Sequence, residues 1–534
     1  MRMTTGPGRT RLGALRARRG EEAGFTMVLV MGLLLLSTMF ALAAWSATHN
    51  DIPAAAHDVN SKRAYGAAEA GIDYYRFHLN QDNAYWSNCT NVPAPGPGQA
   101  SPVNQVWNGQ GLDPRAWRNL PNSQSQYTIE LLPQNGYTQC SVAQPALSMI
   151  DSSTQALQIR ATGRSNGVKR TIVATIRPAG FLDFLYFTDL ETLDPAVYQL
   201  TNPDQASWAA QNCVVYRRDG RPDGCTAIVF ANADVISGPL HTNDDLLLCG
   251  SPTFGRSSTD NIEVSAPPPG WAQSGGCSGS PTMKGTYKTT ARILSMPSTN
   301  TSLAAVAKAQ YTFTGATSIV LNGTSMTVTN QAAGLSNFPM ALPANGVIYV
   351  QNGACGSTYN FQQQYNDPTG CANLYVKGTY SQSLTLASAG DVVVTGNLVR
   401  NGNVTLGLIP NNFARVYHPV SFDGGGGCSN ASSGPYGPAP GSIEIDAAIL
   451  SLQHSVIVDN WYCGDPLGTL SINGAIAQKF RGPVGTGSIS NVVSGYIKNY
   501  TYDDRLKLIS PPYFLNPIQS QWVVARFTEQ APAI

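Results

Sequence analysis

The chain has 534 residues, of which 12% are charged, and it holds 52 glycines, 35 prolines and ten cysteines at a formal net charge of +1. That length exceeds the roughly 250–300 residues at which a single core stops growing, so it predicts at least two domains or one long repeat array. Sparse charge and frequent turn residues are typical of β-rich extracellular proteins, and they favour neither a cytosolic helical enzyme nor a uniformly basic nucleic-acid-binding surface.

The N-terminal 24 residues form a basic leader, and an uncharged run follows. The leader holds six arginines against Glu21 and Glu22, whereas no charge occurs from Phe25 to Ala47. A helix of those 23 residues is about 35 Å long, enough to cross a hydrocarbon core of about 30 Å. Because arginines stay on the cytoplasmic side, the segment predicts a single-pass helix in the bacterial cytoplasmic membrane, with its N-terminus inside and the remaining chain exported.

Three fates are open for this apolar run: a discarded signal peptide, a permanent anchor, or the assembly helix of a pilin. The run is longer than the roughly 7–15 apolar residues of a signal peptide, although small residues near Ala47 leave ordinary cleavage as an alternative. At the junction the leader ends in Gly24, and Phe25 and Thr26 begin the run directly. This junction resembles the cleavage site of type IV prepilins.

The resemblance to type IV prepilins implies processing at this junction. In that family a membrane peptidase cuts after the glycine, before the apolar helix, and the new N-terminal residue is usually methylated, which implies Gly24 and Phe25 as the cleavage and N-methylation site. Most pilins have a glutamate at the fifth residue after the cut, where this chain has Leu29. That departure resembles K-type minor pseudopilins and some PilX-like minor pilins, which implies a position at or near the filament tip.

The helix is predicted to continue beyond the membrane. Ala68, Ile72, Tyr75 and Leu79 recur on one face of a 3.6-residue period, in a stretch whose AAEAG motif also resembles PilX-like proteins. Pro53 predicts a kink or an interruption, because proline cannot donate to the carbonyl four residues earlier.

The predicted fold is α+β and mostly β: a long N-terminal transmembrane pilin helix, an antiparallel pilin sheet and a large β-solenoid-like domain that follows or lies within that sheet. In the head, strand patterns flank a hairpin turned at Asn166 and Gly167. The predicted division of the chain is a leader at 1–24, a helix at 25–80 with its membrane segment at 25–47, a pilin-like β head at 81–180, a β-rich domain at 181–515, and a C-terminal strand and tail at 516–534.

The solenoid prediction comes from loosely repeated β-branched runs separated by Gly and Asn. Two similar tripeptides begin at Val376 and Val394, 18 residues apart, as expected for strands that stack on successive turns. Because the repeat is irregular, a β-sandwich is the alternative. A solenoid within a pilin head is similar in architecture and size to ComZ-like competence minor pilins, and the last strand is expected to rejoin the head sheet.

All ten cysteines follow residue 88, near Gly, Asn and Ser, and none has the spacing of a zinc site. Disulfides in an oxidising compartment are therefore favoured over buried free thiols. Pairing neighbours in order would close loops of 12 to 51 positions, but the sequence does not fix the connectivity. The candidate disulfide residues are Cys89, Cys140, Cys213, Cys225, Cys249, Cys277, Cys355, Cys371, Cys428 and Cys463.

The clustered acids offer little chemistry. Asp244 and Asp245 suggest a calcium site, but adjacent strand residues point to opposite faces, so a polar turn is favoured. Calcium is the one cofactor left open, and no other metal is expected. Asp503 and Asp504 suggest a polysaccharide hydrolase, whereas the neighbouring Arg505 favours surface ion pairs. The chain is therefore not expected to be an enzyme.

One basic and aromatic cluster suggests a ligand. Lys479, Phe480 and Arg481 could stack on single-stranded nucleic acid and neutralise it, although an ordinary surface strand with snorkelling cations is favoured.

The sequence thus predicts a large, non-enzymatic minor pilin that presents its β domain for assembly initiation, adhesion or ligand capture. Its expected partners are a prepilin peptidase, other pilins, an inner-membrane assembly platform, membrane lipid and a surface ligand or DNA. A DNA-binding competence pilin and a membrane-anchored polysaccharide hydrolase are the alternatives.

Overall fold

The computed structural model describes residues 23–88, 117–132, 136–137, 140–200, 203–232, 234–356, 359–360, 362–423, 427–488, 491–518 and 520–531. Its α-helices are α1 (Ala23–Gln81), α2 (Pro203–Asn212) and α3 (Ser302–Val306). The fold is mostly β, with an N-terminal apolar helix, an antiparallel sheet and a large β domain, as the sequence predicts.

Helix α1 extends over 59 residues without a break. Pro53 lies inside it, so the interruption, one of the two expected effects, is wrong, and the kink stays a prediction. A proline removes one hydrogen bond from the helix ladder, and the many remaining turns on both sides keep the helix continuous.

The head is an antiparallel sheet against which the second half of α1 packs. Its first strands are β1 (Arg118–Asn119), β2 (Gln126–Leu132), β3 (Ile150–Asp151), β4 (Ala156–Ser165) and β5 (Val168–Pro178). Strands β4 and β5 form the predicted hairpin, in which Asn166 and Gly167 have φ angles of 46° and 82°. Both residues occupy the left-handed region that a tight two-residue turn requires.

The helix lies very close to the sheet. Ala64, Ala68, Tyr75 and Leu79 of α1 are fully buried. At Gly163 of β4, an added Cβ would lie 1.9 Å from the Ala64 carbonyl oxygen, so only glycine permits this approach. The periodic apolar face predicted from the sequence is therefore the face that packs on the sheet.

Beyond β5 the chain builds a large β domain, called here the stacked domain. Its strands are β6 (Tyr186–Leu193), β7 (Phe230–Ala231), β8 (Val235–Ile236), β9 (Leu240–Thr242), β10 (Leu246–Cys249), β11 (Thr253–Phe254), β12 (Asn261–Val264), β13 (Trp271–Gln273), β14 (Thr282–Met283), β15 (Thr286–Lys288), β16 (Thr312–Thr314), β17 (Thr317–Gly323), β18 (Ser325–Asn330), β19 (Leu335–Ala341), β20 (Val347–Gln351), β21 (Leu374–Tyr380), β22 (Leu384–Ser388), β23 (Val392–Arg400), β24 (Leu406–Pro410), β25 (Ala414–Val416), β26 (Val420–Phe422), β27 (Cys428–Asn430), β28 (Ile443–Ile445), β29 (Ala448–Ser451), β30 (Val456–Val458), β31 (Pro466–Arg481), β32 (Gly485–Ser488) and β33 (Asn491–Tyr502).

Most of these strands pair in parallel, in three stacks. The first stack has the order β16, β20, β22, β24, β29, β31, β6, β9, β12, β15. The second contains β17, β21, β23, β28, β31 and β33, and a bridge from Thr501 to Ser237 continues it to β8, β11 and β14. The third contains β23, β25 and β30 on one side and β7, β10 and β13 on the other. Val376 of β21 lies directly opposite Val394 of β23, and these two strands are parallel.

The chain joins the first stack in its middle. Strand β6, the first of the domain, pairs with β31, one of the last. Residues 289–311 then cross the stack lengthwise, from β15 at one end to β16 at the other. Asn300, in this crossing segment, donates from Nδ2 to the carbonyl oxygens of Ser388 (2.7 Å) and Ile409 (2.6 Å), on two successive strands of the stack.

The last strand, β34 (Trp522–Gln530), pairs antiparallel with β5. The head sheet is therefore completed by the end of the chain, as the sequence predicts, and the stacked domain is inserted between two neighbouring strands of that sheet.

Candidate functional site

The two halves of α1 meet different environments. Met27–Ser46 is long and apolar enough to cross a membrane, and no part of it is buried in the protein. Phe40, for example, is 74% exposed, whereas Tyr75 in the second half is fully buried. A long apolar surface of this kind is unfavourable in water, and this half of the helix is compatible with a membrane anchor.

The predicted processing site lies at the start of this exposed half. Gly24 and Phe25 are in the first turn of α1, and residues 1–22 of the leader lie outside the described part of the chain. Leu29 is on the helix and 53% exposed. Cleavage and methylation remain predictions.

The predicted basic and aromatic cluster does not form on the surface. Phe480 and Arg481 are buried, with 3% and 5% of their surface exposed, and Lys479 alone is half-buried. Arg481 stacks on Phe230 at 3.9 Å from the ring centroid, donates to the Ile228 carbonyl oxygen at 2.6 Å and lies 3.4 Å from a carboxylate oxygen of Glu191. These contacts of Arg481 are internal, and nucleic-acid binding by the three residues stays a prediction.

Asp244 and Asp245 lie in the turn between β9 and β10. Asp244 is fully buried, pairs with Arg221 and accepts hydrogen bonds from the backbone N–H groups of Glu191 (2.9 Å) and Arg217 (2.8 Å). Burial, and then the nearby Asp244 carboxylate, raises the pKa of Asp245. Among the described residues, no group of three or more His, Cys, Asp or Glu side chains is arranged to hold a metal ion. The oxygens of Asp244 are used to hold the turn together.

Asp503 and Asp504 are also held in ion pairs. Asp503 bonds to Arg505 and Arg400, and Asp504 bonds to Arg256 and Lys507.

The disulfides described in the structure join neighbouring cysteines in order. The pairs are Cys213–Cys225, Cys249–Cys277, Cys355–Cys371 and Cys428–Cys463. Cys140 is also disulfide-bonded, and Cys89 lies outside the described residues. Each described pair closes a loop within the stacked domain.

Sequence reasoning missed a buried charge network in the stacked domain. Arg415, 1% exposed, donates from Nε and Nη2 to the two carboxylate oxygens of Asp459 at 2.8 and 3.1 Å, and from Nη1 to Asp391 at 2.9 Å. The carboxylates hold the pKa of Arg415 well above its ordinary value despite burial, while burial raises the pKa of Asp459. The partners are at least 24 residues apart in sequence, and only the strand register brings them together.

The fold and the exposed helix together define a mostly β protein with an N-terminal apolar helix that continues into an antiparallel head, and a large stacked domain inserted in that head. No family model matches the chain, and no curated protein matches it. Among solved structures, one match is the competence-associated pilin ComZ from Thermus thermophilus, which is 12% identical over 89% of this chain and 98% of that chain. The TM-score is 0.26, too low for the likeness to support a functional argument.

Proposed function

We propose that this chain is a large minor pilin of a type IV pilus or a related filament. The observation that carries the proposal is the division of α1, because one continuous helix exposes an apolar first half and packs one face of its second half against an antiparallel sheet. Such a helix holds the precursor in the membrane and then packs among the helices of other subunits. In this role the leader is removed after Gly24 and the helix remains attached to the body.

The proposed assembly needs no catalytic group in the body. The partners are a prepilin peptidase, other pilins, an assembly platform in the inner membrane and membrane lipid. The helix supplies apolar surface for subunit packing, and the stacked domain provides a rigid exported surface for adhesion or ligand capture. Disulfides within that domain fit an oxidising location outside the cytoplasm.

We place the subunit at or near the filament tip. A carboxylate in a bilayer is costly unless it is paired, so a glutamate near the start of a pilin helix has reason to seek the positive N-terminus of a subunit already in the filament. Leu29 has no carboxylate, so this subunit lacks the interaction that favours docking beneath another subunit. A subunit without it is suited to be among the first assembled.

N-terminal mass spectrometry of the membrane-derived protein tests the processing step. We expect a mature chain that begins at a methylated Phe25, and a chain that begins at Met1 would refute cleavage. The variant Gly24→Val should retain the leader. Gly32→Ala is the matched control, because an added Cβ at Gly32 meets nothing within 4 Å, and this variant should be processed normally.

The tip position has its own test. Leu29→Glu should raise the number of copies incorporated along each filament, counted by immunogold labelling. Leu33→Glu places the same carboxylate one helical turn later, at a residue that is 58% exposed, and serves as the control. Equal incorporation of the two variants would contradict the argument from Leu29.

A further inference from the structure

The stacked domain contains a cavity of about 370 Å³ between strands β7 and β30. Its walls are formed mainly by residues 226–231 on one side and 481–487 on the other, with strands β31 and β33 behind them. That volume is far above the roughly 10–15 Å³ that one water needs, and it is enough for a small molecule. It falls in the ordinary range of small-molecule sites.

The cavity arises from a gap in the third stack. Strand β30 pairs with β25 and strand β7 with β10, but no ladder pair joins β30 to β7 among the described residues. The first and second stacks are continuous at the same level, through β31 with β6 and through Thr501 with Ser237. The cavity therefore lies beside strands β31 and β33, which are held by their neighbours in the first and second stacks.

Aromatic rings line much of this cavity. Tyr186, Trp461 and Tyr500 contribute to its wall, and Tyr186 and Tyr500 are largely buried residues, 3% and 7% exposed. Flat rings give an apolar surface on which the C–H faces of a sugar ring can pack, while a hydroxyl or indole N–H adds a polar edge. Tyr500 makes no hydrogen bond from its hydroxyl to any described residue, so that group is available to a ligand.

Arg481 contributes a guanidinium group to the cavity wall. Its Nη1 is used by the Ile228 carbonyl oxygen and faces Glu191, whereas Nε and Nη2 donate to no described residue. Those two atoms form the edge of a guanidinium that binds a carboxylate with two parallel hydrogen bonds. Arg415 shows this use in the same domain, since its Nε and Nη2 hold both oxygens of Asp459.

Two other polar side chains of the wall, Asp234 and Gln478, are already paired. The Asp234 carboxylate forms an ion pair with Lys498 at 3.2 Å and accepts a hydrogen bond from the backbone N–H of Ala231 at 2.8 Å. The Gln478 side chain accepts from the backbone N–H of Val456 at 2.8 Å and donates to the Tyr186 hydroxyl at 3.3 Å. Trp461 Nε1 is buried without a partner among the described residues, so Arg481, Tyr500 and Trp461 together offer donors that suit a ligand rich in oxygen acceptors.

We propose that this cavity binds a carboxylated sugar, a hexuronic acid residue of an acidic glycan, with the carboxylate on the free edge of Arg481 and the sugar ring against Tyr186, Trp461 and Tyr500. The inference does not depend on filament assembly, so the failure of either proposal leaves the other standing.

Calorimetry on the full chain in detergent micelles tests the site with D-galacturonic acid and D-glucuronic acid as probes. D-galactose and acetate serve as probes that lack the carboxylate or the ring. We expect at least one uronic acid to bind more tightly than both of these. Equal binding of galactose would refute the role of the carboxylate, equal binding of acetate would refute the role of the ring, and no binding of either uronic acid would overturn the proposal.

Three variants locate the binding. Arg481→Gln should weaken binding about tenfold or more, as expected for loss of charge-assisted hydrogen bonds. Tyr500→Phe removes only a hydroxyl and should weaken binding without harming the fold, which keeps the test valid if Arg481→Gln is unstable. Lys479→Gln removes the same charge two residues away, from a side chain that does not line the cavity, and should leave the affinity unchanged. An equal loss in the Lys479 variant, or no loss in Tyr500→Phe, would contradict the assigned site.

Discussion

Gly163 sets the distance between α1 and the head sheet, and its replacement tests that packing directly. In Gly163→Ala the new Cβ would lie 1.9 Å from the carbonyl oxygen of Ala64 and 2.6 Å from the backbone nitrogen of Ala68. Both contacts are with the backbone of a buried helix face, so no side chain can rotate to relieve them. The helix must move away from β4 and lose part of its packing.

The expected destabilisation is at the upper end for overpacking, about 3 kcal/mol, because rigid backbone is met on the far side. At about 1.4 kcal/mol for each factor of ten, local opening of the β4–β5 hairpin should become roughly 100-fold more frequent. Hydrogen–deuterium exchange of peptides covering residues 156–178 measures this change, and peptides from the stacked domain provide an internal reference.

Gly66→Ala is the matched control for this prediction. Gly66 lies on α1 beside the same contact, but an added Cβ there meets nothing within 4 Å. The variant should stabilise the helix by up to about 1 kcal/mol through helix propensity alone. If Gly163→Ala exchanged no faster than the Gly66 variant, the close approach of helix and sheet would be refuted.

Three further predictions concern the stacked domain. Burial lowers the pKa of His454, but the Asp194 carboxylate, 3.0 Å away, opposes this effect, and the net shift of the pKa is upward. Stability from this pair should therefore be full below about pH 6.5 and be lost as the pH rises through the higher folded-state pKa. Thermal melting should show this dependence, and His454→Gln should abolish it. Arg415→Met should cost about 3–5 kcal/mol in urea unfolding, because it leaves Asp459 buried without its cation; a loss below 1 kcal/mol would contradict the network. Replacing the Cys428–Cys463 disulfide, whose cysteines are 35 residues apart, with two serines should destabilise the domain about 1 kcal/mol more than replacing Cys213–Cys225, whose cysteines are 12 residues apart. The same unfolding assay measures both losses.

Local patterns in the sequence were sufficient for the head. The Asn166–Gly167 turn follows from the two residues that most readily adopt positive φ, and the buried face of α1 follows from apolar spacing near 3.6. The 18-residue offset of Val376 and Val394 corresponds to neighbouring parallel strands. These features depend on chemistry within short segments or on a repeat that can be counted.

The cavity and its charges could not be found in this way. Phe480 and Arg481 stand next to each other in a strand, where one of two adjacent residues normally faces solvent. Both are buried because β31 is covered on its inner side by the core and on its outer side by other parts of the chain. Burial on both faces removes the alternation on which sequence reasoning depends, so a basic surface cluster was predicted where an interior arginine occurs.

The insertion of the stacked domain has a mechanical consequence. The domain receives its chain at β6 and returns it through β31 and β33, and β6 pairs with β31 in the middle of the first stack. A pulling force that arrives through α1 and the head is therefore applied to interior strands, each held by neighbours on both sides. No terminal turn is loaded first, so the domain should resist being unravelled strand by strand when tension is carried along the helix.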